Sequence, residues 1–276
     1  MSEPDSPVPI APEPENSSSD DAQAAQSFSQ NGEAQAPTEP KEKQPFWGYL
    51  DLFAFLAAAL PALLVAALIA KFLFHTFSLR GEGKAPELLA AQFLGYLFWF
   101  IFLYLLLRLK YGRPFWESLG WLRVSERFWW WAGWGALLAI AISLAGTLLR
   151  TPDLDMPMKR LLGDRMSVLL IGVAAATVGP VCEEIAFRGF LMPLLVRSMG
   201  APLGIVLSAL PFALLHGPQY AWSWRHIVLI TIAGVAFGYT RYRSGSTAAA
   251  AVVHAAYNTT FFLAYVLYGK DLPAKW

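Results

Sequence analysis

Cysteine is nearly absent. Cys182 is the single one among 276 residues, which excludes an internal disulfide and any cysteine-based metal cluster. With apolar neighbours before it, it reads as a small buried hydrophobe. Charge is sparse too: 15% of residues are Asp, Glu, Lys or Arg, and the net charge is +1. No basic block with interleaved aromatics occurs, so nucleic acid is not expected as a partner. The chain has no His-Glu-x-x-His helix signature and no Gly-x-Ser-x-Gly elbow, which removes two common hydrolase patterns. Asp164 lacks a second membrane aspartate in matching context, which argues against an aspartyl dyad. The first residues lack the basic and early apolar stretches of a cleaved signal peptide, so the first apolar run is expected to serve as the membrane signal.

What the chain has in excess is apolar length. Hydrophobic residues make up 56% of it and the mean hydropathy is +0.42, values of a multi-spanning membrane protein. About 20 residues of helix cross about 30 Å of hydrocarbon. Seven runs approach that length, near 50–74, 87–109, 128–149, 166–196, 201–216, 226–242 and 246–268. Pro180 can kink or split the fourth. The expected fold is therefore all-α, a polytopic transmembrane helix bundle of about seven to eight membrane helices.

Outside these runs the composition changes. Residues 1–45 are rich in Pro, Ser, Gln, Ala and Glu, with acids from Glu3 to Glu42 and bases only at Lys41 and Lys43, and are expected to form a disordered tail. Front membrane helices over 46–165, a core over 166–268 and a short C-terminal tail over 269–276 complete the expected organisation. Between Arg108 and Arg127, bases mix with Tyr111, Phe115, Trp116 and Trp121, as in a connector lying at headgroup level. Trp129, Trp130, Trp131 and Trp134 read as interfacial anchors. Lys and Arg in the earlier loops balance between the two faces, so they leave the sidedness open. His75 and His226 lie near the ends of apolar runs and are assigned no chemistry.

Polar side chains inside such runs are costly and mark sites. The fourth run carries Glu183-Glu184-Ile-Ala-Phe-Arg188. Glu184 and Arg188 are four apart, on one helical face and in the favourable order for an ion pair. Glu183 lies about 100° around the helix from Glu184 and is left for proton chemistry. The fifth run ends in Phe212-Ala-Leu-Leu-His216, stopped by Gly217-Pro218. The seventh carries His254-Ala-Ala-Tyr-Asn258, with imidazole and amide one turn apart. Counting helical rise from the shared side of the bundle puts Glu183 and His216 at about 20 Å, Asn258 at about 18 Å and His254 at about 12 Å. Glu183, His216 and Asn258 are thus expected to meet, with His254 one turn away.

One carboxylate, two imidazoles and an amide suit the activation of water against a carbonyl. In a metal-free version Glu183 and His216 deprotonate water, while His254 and Asn258 donate to the oxyanion. In a metal version Glu183, His216 and His254 bind zinc as a His₂Glu set with one open position. A different class of function is a non-catalytic transporter, ion-binding or immunity protein that uses the polar cluster for binding.

The ordered set Glu183-Glu184-x-x-x-Arg188, Phe212-x-x-x-His216 and His254-x-x-x-Asn258, in separate spans over roughly 166–268, resembles the three motifs of the CAAX-protease and bacteriocin-processing membrane endopeptidases. Their eukaryotic relatives, the type II CAAX prenyl endopeptidases, remove the last three residues after cysteine prenylation. The resemblance implies an intramembrane endopeptidase, with Glu183 as catalytic carboxylate and Glu184 and Arg188 as its neighbours. It makes His216, His254 and Asn258 the rest of the site and Phe212 a supporting residue. It also implies a peptide or protein substrate, lipidated in the CAAX case, and residence among membrane lipids, with the plasma membrane as the expected location. The family is commonly labelled a metalloprotease, and a metal-free glutamate mechanism has also been proposed for it.

Overall fold

In the computed structural model, residues 44–77, 85–124, 127–152, 161 and 163–268 are described. The expected disordered tail, through residue 43, and the C-terminal residues 269–276 lie outside them. The described residues contain no strand and are 86% helical, which makes the fold all-α. Each apolar run becomes helix, because helix is the open-ended structure that satisfies its own backbone without water.

Helix α1 covers Tyr49–Thr76 and α2 covers Ala85–Leu105, continued by a π-helical turn over Leu106–Lys110. The short α3, Phe115–Ser118, leads to α4, Phe128–Leu148. The fourth run is one long element in pieces: α5 Arg165–Ala176, α6 Val178–Glu184, a π-helical stretch Ile185–Leu191, and α7 Met192–Met199. Helices α8 Ala201–Leu215, α9 Trp224–Ser244 and α10 Thr247–Tyr268 follow. Five stretches are long and apolar enough to cross a membrane unaided: Tyr49–Thr76, Ala85–Lys110, Phe128–Leu148, Arg165–Met199 and Thr247–Tyr268. This is an integral membrane protein. Helix α8 has 15 residues, only about 22 Å of rise against about 30 Å of hydrocarbon.

The expected kink at Pro180 falls three residues earlier, at Thr177 (φ −130°, ψ −86°). Proline is tolerated in a helix's first turn, where its missing N–H would have no partner anyway, so α6 restarts just ahead of it. Asp164 caps the start of the element, accepting from Ser167 N at 2.8 Å and from Ser167 Oγ at 2.5 Å. Those bonds hold its carboxyl below the usual carboxylate range and identify its role as a helix cap.

Two buried clusters flank the π-helical stretch. One joins Trp47, Phe55, Leu103, Leu119, Phe190 and Leu194; the other joins Leu138, Ile142, Phe212, Phe237 and Val253, and Phe187 packs against both. The connector expected at headgroup level packs against the end of the bundle through Leu119. Leu119 has no exposed surface, Thr247 Oγ1 donates to Leu119 O at 2.6 Å, and Ser246 Oγ donates to Leu122 O at 2.9 Å. These bonds fix the α9–α10 turn to the connector. At the opposite end Arg225 Nη1 donates to Arg150 O at 3.0 Å, so α9 runs from the α4 C-terminus back to the connector. Outward faces are apolar, Leu50, Phe53 and Leu68 among them, as lipid contact requires, and Trp129 and Trp130 point outward as anchors do.

Helices α4 and α10 approach closely where Gly135 lies against the Val253 carbonyl and the Ala256 methyl, with no room for a Cβ. Gly135→Leu is expected to push α10 outward and lower stability by roughly 1–3 kcal/mol, as overpacking does; reversible unfolding in micelles measures it.

Candidate active site

Arg188 is carried into the bundle with no exposed surface. Its Nη1 donates to Glu184 Oε1 at 2.9 Å and its Nη2 to Gly234 O at 2.6 Å. The rings of Phe212, Phe237 and Phe187 surround the guanidinium at 4.6, 5.4 and 5.9 Å from their centroids. The predicted four-residue ion pair is therefore present, across the junction where α6 passes into π-helix. π-Bulges recur at functional sites because they re-aim side chains without ending the helix.

Glu184 is fully buried and does a second job. The same Oε1 that accepts from Arg188 faces His254 Nδ1 at 3.0 Å. His254 is itself buried and stacked on Phe237, centroids 4.4 Å apart. Its other nitrogen, Nε2, lies 3.8 Å from Glu183 Oε2, and the Glu183 side chain is 23% exposed. Glu183 and Glu184 diverge by about 100°, and the imidazole fills the angle between them. A Nδ1–H donated to Glu184 leaves Nε2 of a neutral ring as an acceptor aimed at the Glu183 side. The 3.8 Å gap suits a bridging water better than a direct bond.

His216 closes α8 with Nδ1 on Phe212 O at 2.7 Å. Its ring lies 4.7 Å from that of Phe212, whose centroid is 5.6 Å from His254. Phe212 therefore touches both imidazoles. Asn258 Nδ2 donates to Ala175 O at 2.7 Å, a carbonyl just before the break at Thr177. His254, expected one turn away from Glu183, lies within 3.8 Å of it, while Asn258 bonds to the Ala175 carbonyl. Counting 1.5 Å per residue presumes unbroken α-helix, and the Glu183 element is broken at Thr177 and widened from Ile185.

Three partners escaped the sequence reading: the Gly234 carbonyl, Phe237 and the Ala175 carbonyl. A signal existed for the first two, since Gly234-Val-Ala-Phe-Gly238 is a small-xxx-small pattern that marks close helix approach. A Cβ at Gly234 would lie 3.2 Å from both Arg188 Nη2 and the Phe212 ring. Backbone carbonyls have no sequence signature.

Zinc would draw on Glu183, His216 and His254. Among the described residues no three His, Cys, Asp or Glu side chains are gathered as a ligand group. Both Nδ1 atoms are engaged, on Glu184 and on the Phe212 carbonyl, which leaves Nε2 as the nitrogen each ring would offer a metal. As placed, Glu183, His216 and His254 are not gathered closely enough to form a three-ligand zinc site.

Residues 165–260 match the family model described as type II CAAX prenyl endopeptidase Rce1-like. The chain is similar to that family over 96 of its 276 residues. Searches of curated proteins and of solved structures find no match. The match begins one residue after the Asp164 cap and ends two residues past Asn258, so every polar residue of the site lies within it. Helices α1 to α4 lie outside the match; α1 and α2 pack on the matched segment through the aromatic cluster around Phe190, and α4 through Leu138 and Ile142.

The adjacent glutamates should differ in what their loss does to the fold. Glu184→Gln leaves a buried guanidinium without its counter-charge and is expected to cost about 3–5 kcal/mol. Glu183→Gln, at a partly exposed carboxylate with no direct hydrogen bond, should stay within about 1 kcal/mol of wild type. Unfolding in micelles distinguishes them.

Proposed function

We propose that this chain is an intramembrane endopeptidase in which Glu183 activates water. The observation that carries the reading is the single imidazole of His254, clamped at Nδ1 by buried Glu184 and turned at Nε2 toward partly exposed Glu183, within an Rce1-like core. An imidazole oriented by one carboxylate and facing another follows the logic of a general base held by an orienting partner.

In this mechanism a water between Glu183 Oε2 and His254 Nε2 donates one hydrogen to each. Glu183 takes a proton as the water oxygen attacks the scissile carbonyl. Asn258 has a second amide hydrogen beyond the one on Ala175 O, and this hydrogen meets the developing oxyanion. His216, across Phe212, presents its free Nε2 as a further water acceptor. Glu183 then returns its proton to the leaving nitrogen as the C–N bond breaks. Glu184 and Arg188 stay out of the proton transfers; they hold His254 and balance charge.

The substrate is a peptide or protein at the membrane. The family description supports a prenylated CAAX-type C-terminus, and the plasma membrane is the proposed location.

Folded Glu183→Gln and His254→Ala variants are each expected to cleave a panel of prenylated and unmodified peptides at least about 100-fold more slowly than wild type, the usual scale for removing a general base. His216→Ala and Asn258→Ala should show smaller but clear losses. Wild-type cleavage by all four, or ion flux in reconstituted vesicles without any cleavage, would favour the binding or transport reading instead.

A further inference from the structure

A second polar site lies at the connector end of the bundle. A pocket of about 250 Å³ opens there between Gln44, Trp47, Pro193, Arg197, Arg241 and Tyr242. Its two arginines are held differently. Arg197 is tied to backbone, with Nη1 donating to Pro45 O and Nη2 to Trp47 O. Arg241 is half-buried, and its buried Nε has no hydrogen-bond partner. No carboxylate among the described residues pairs with its guanidinium. The group lies over Gly120 (φ +65°), where a Cβ would overlap Nη2. A partly desolvated guanidinium with an unused fork of donors is unfavourable until an anion completes it.

The surroundings point to the kind of anion. Bonds from Ser246 and Thr247 to the connector, and from Arg197 to the residues ahead of α1, put Arg113, Arg123, Arg127, Arg197, Arg241 and Arg243 at one end of the bundle. The acids there among the described residues are Glu117 and Asp51, and Asp51 is already bound by Lys110 and Tyr111. An arginine-rich rim at the ends of membrane helices sits where anionic lipid headgroups lie. The guanidinium fork matches phosphate oxygens two at a time. The pocket volume equals about eight waters, room for a headgroup and too little for a protein segment.

We propose that this pocket binds a phosphate-bearing anion, with Arg241 as the direct contact and Arg197 as a fixed neighbouring charge. The anionic phospholipid of the adjoining leaflet supplies it. This site is separate from Glu183 and His254 and is read by binding, whatever the cleavage assays give.

The test uses the full chain in detergent, titrated with phosphatidylglycerol, with phosphatidylcholine as the zwitterionic comparator, and with inorganic phosphate, by native mass spectrometry and calorimetry. Phosphatidylglycerol should bind at least about tenfold tighter than phosphatidylcholine, a margin of about 1.4 kcal/mol. Arg241→Gln should abolish the margin, and Arg243→Gln at the same helix end should keep it. Arg241→Lys, which keeps the charge and loses the fork, should bind less tightly than wild type, and it carries the test if Arg241→Gln does not fold. Arg241-dependent binding of inorganic phosphate, with no preference between the lipids, supports the anion site and assigns it to a soluble phosphate. Lipid and phosphate binding unchanged in Arg241→Gln, or in Arg241→Lys where that variant stands in, would overturn the proposal.

Discussion

A guanidinium with no exposed surface must have its charge answered inside the protein, and the core around Arg188 is arranged around that requirement. Glu184 supplies the negative charge, Gly234 a carbonyl, and Phe187, Phe212 and Phe237 the faces of their rings. Each contribution constrains a different element. Glu184 and Arg188 must remain one turn apart across the α-to-π junction, and α9 must come close enough for a backbone oxygen to reach Nη2. α8 must bring Phe212 over the cation. Removing one partner of such a pair is far more damaging than never having had it, because the other charge stays buried.

The proposed chemistry follows from the same arrangement. The carboxylate oxygen that answers Arg188 also orients His254, and Phe237, packed on the guanidinium, stacks on the imidazole. A structural ion pair thereby fixes which nitrogen of His254 is turned toward Glu183. The neighbour in sequence is left partly exposed, free of direct hydrogen bonds and able to hold water. One of two adjacent glutamates is structural and the other is available, and burial decides which.

The bundle's ends are set by a different means. Thr247 and Ser246 at the start of α10 bond to backbone carbonyls of the connector, and Arg197 bonds to those just ahead of α1. These bonds draw the arginines of the loops and helix ends together at one side. They leave Arg241 as a cation that no carboxylate among the described residues pairs with.

The sequence by itself determined the helices, because a 20-residue apolar run has one way to satisfy its backbone in lipid. It also determined the Glu184–Arg188 pair, because four residues of helix return to the same face. The Asp164 cap and the Gly234-x-x-x-Gly238 contact were legible by the same local rules, although only the aspartate's lack of a dyad partner was drawn from it. Tertiary structure alone decided that His254 stands beside Glu183 while Asn258 turns to Ala175. That choice depends on a break at Thr177 and a widened turn from Ile185, which alter rise and rotation in ways no fixed period anticipates. It alone also seated Leu119 of the connector in the core, where its carbonyl accepts from Thr247. Local rules fix what each helix can present; the irregular turns between them fix what it meets.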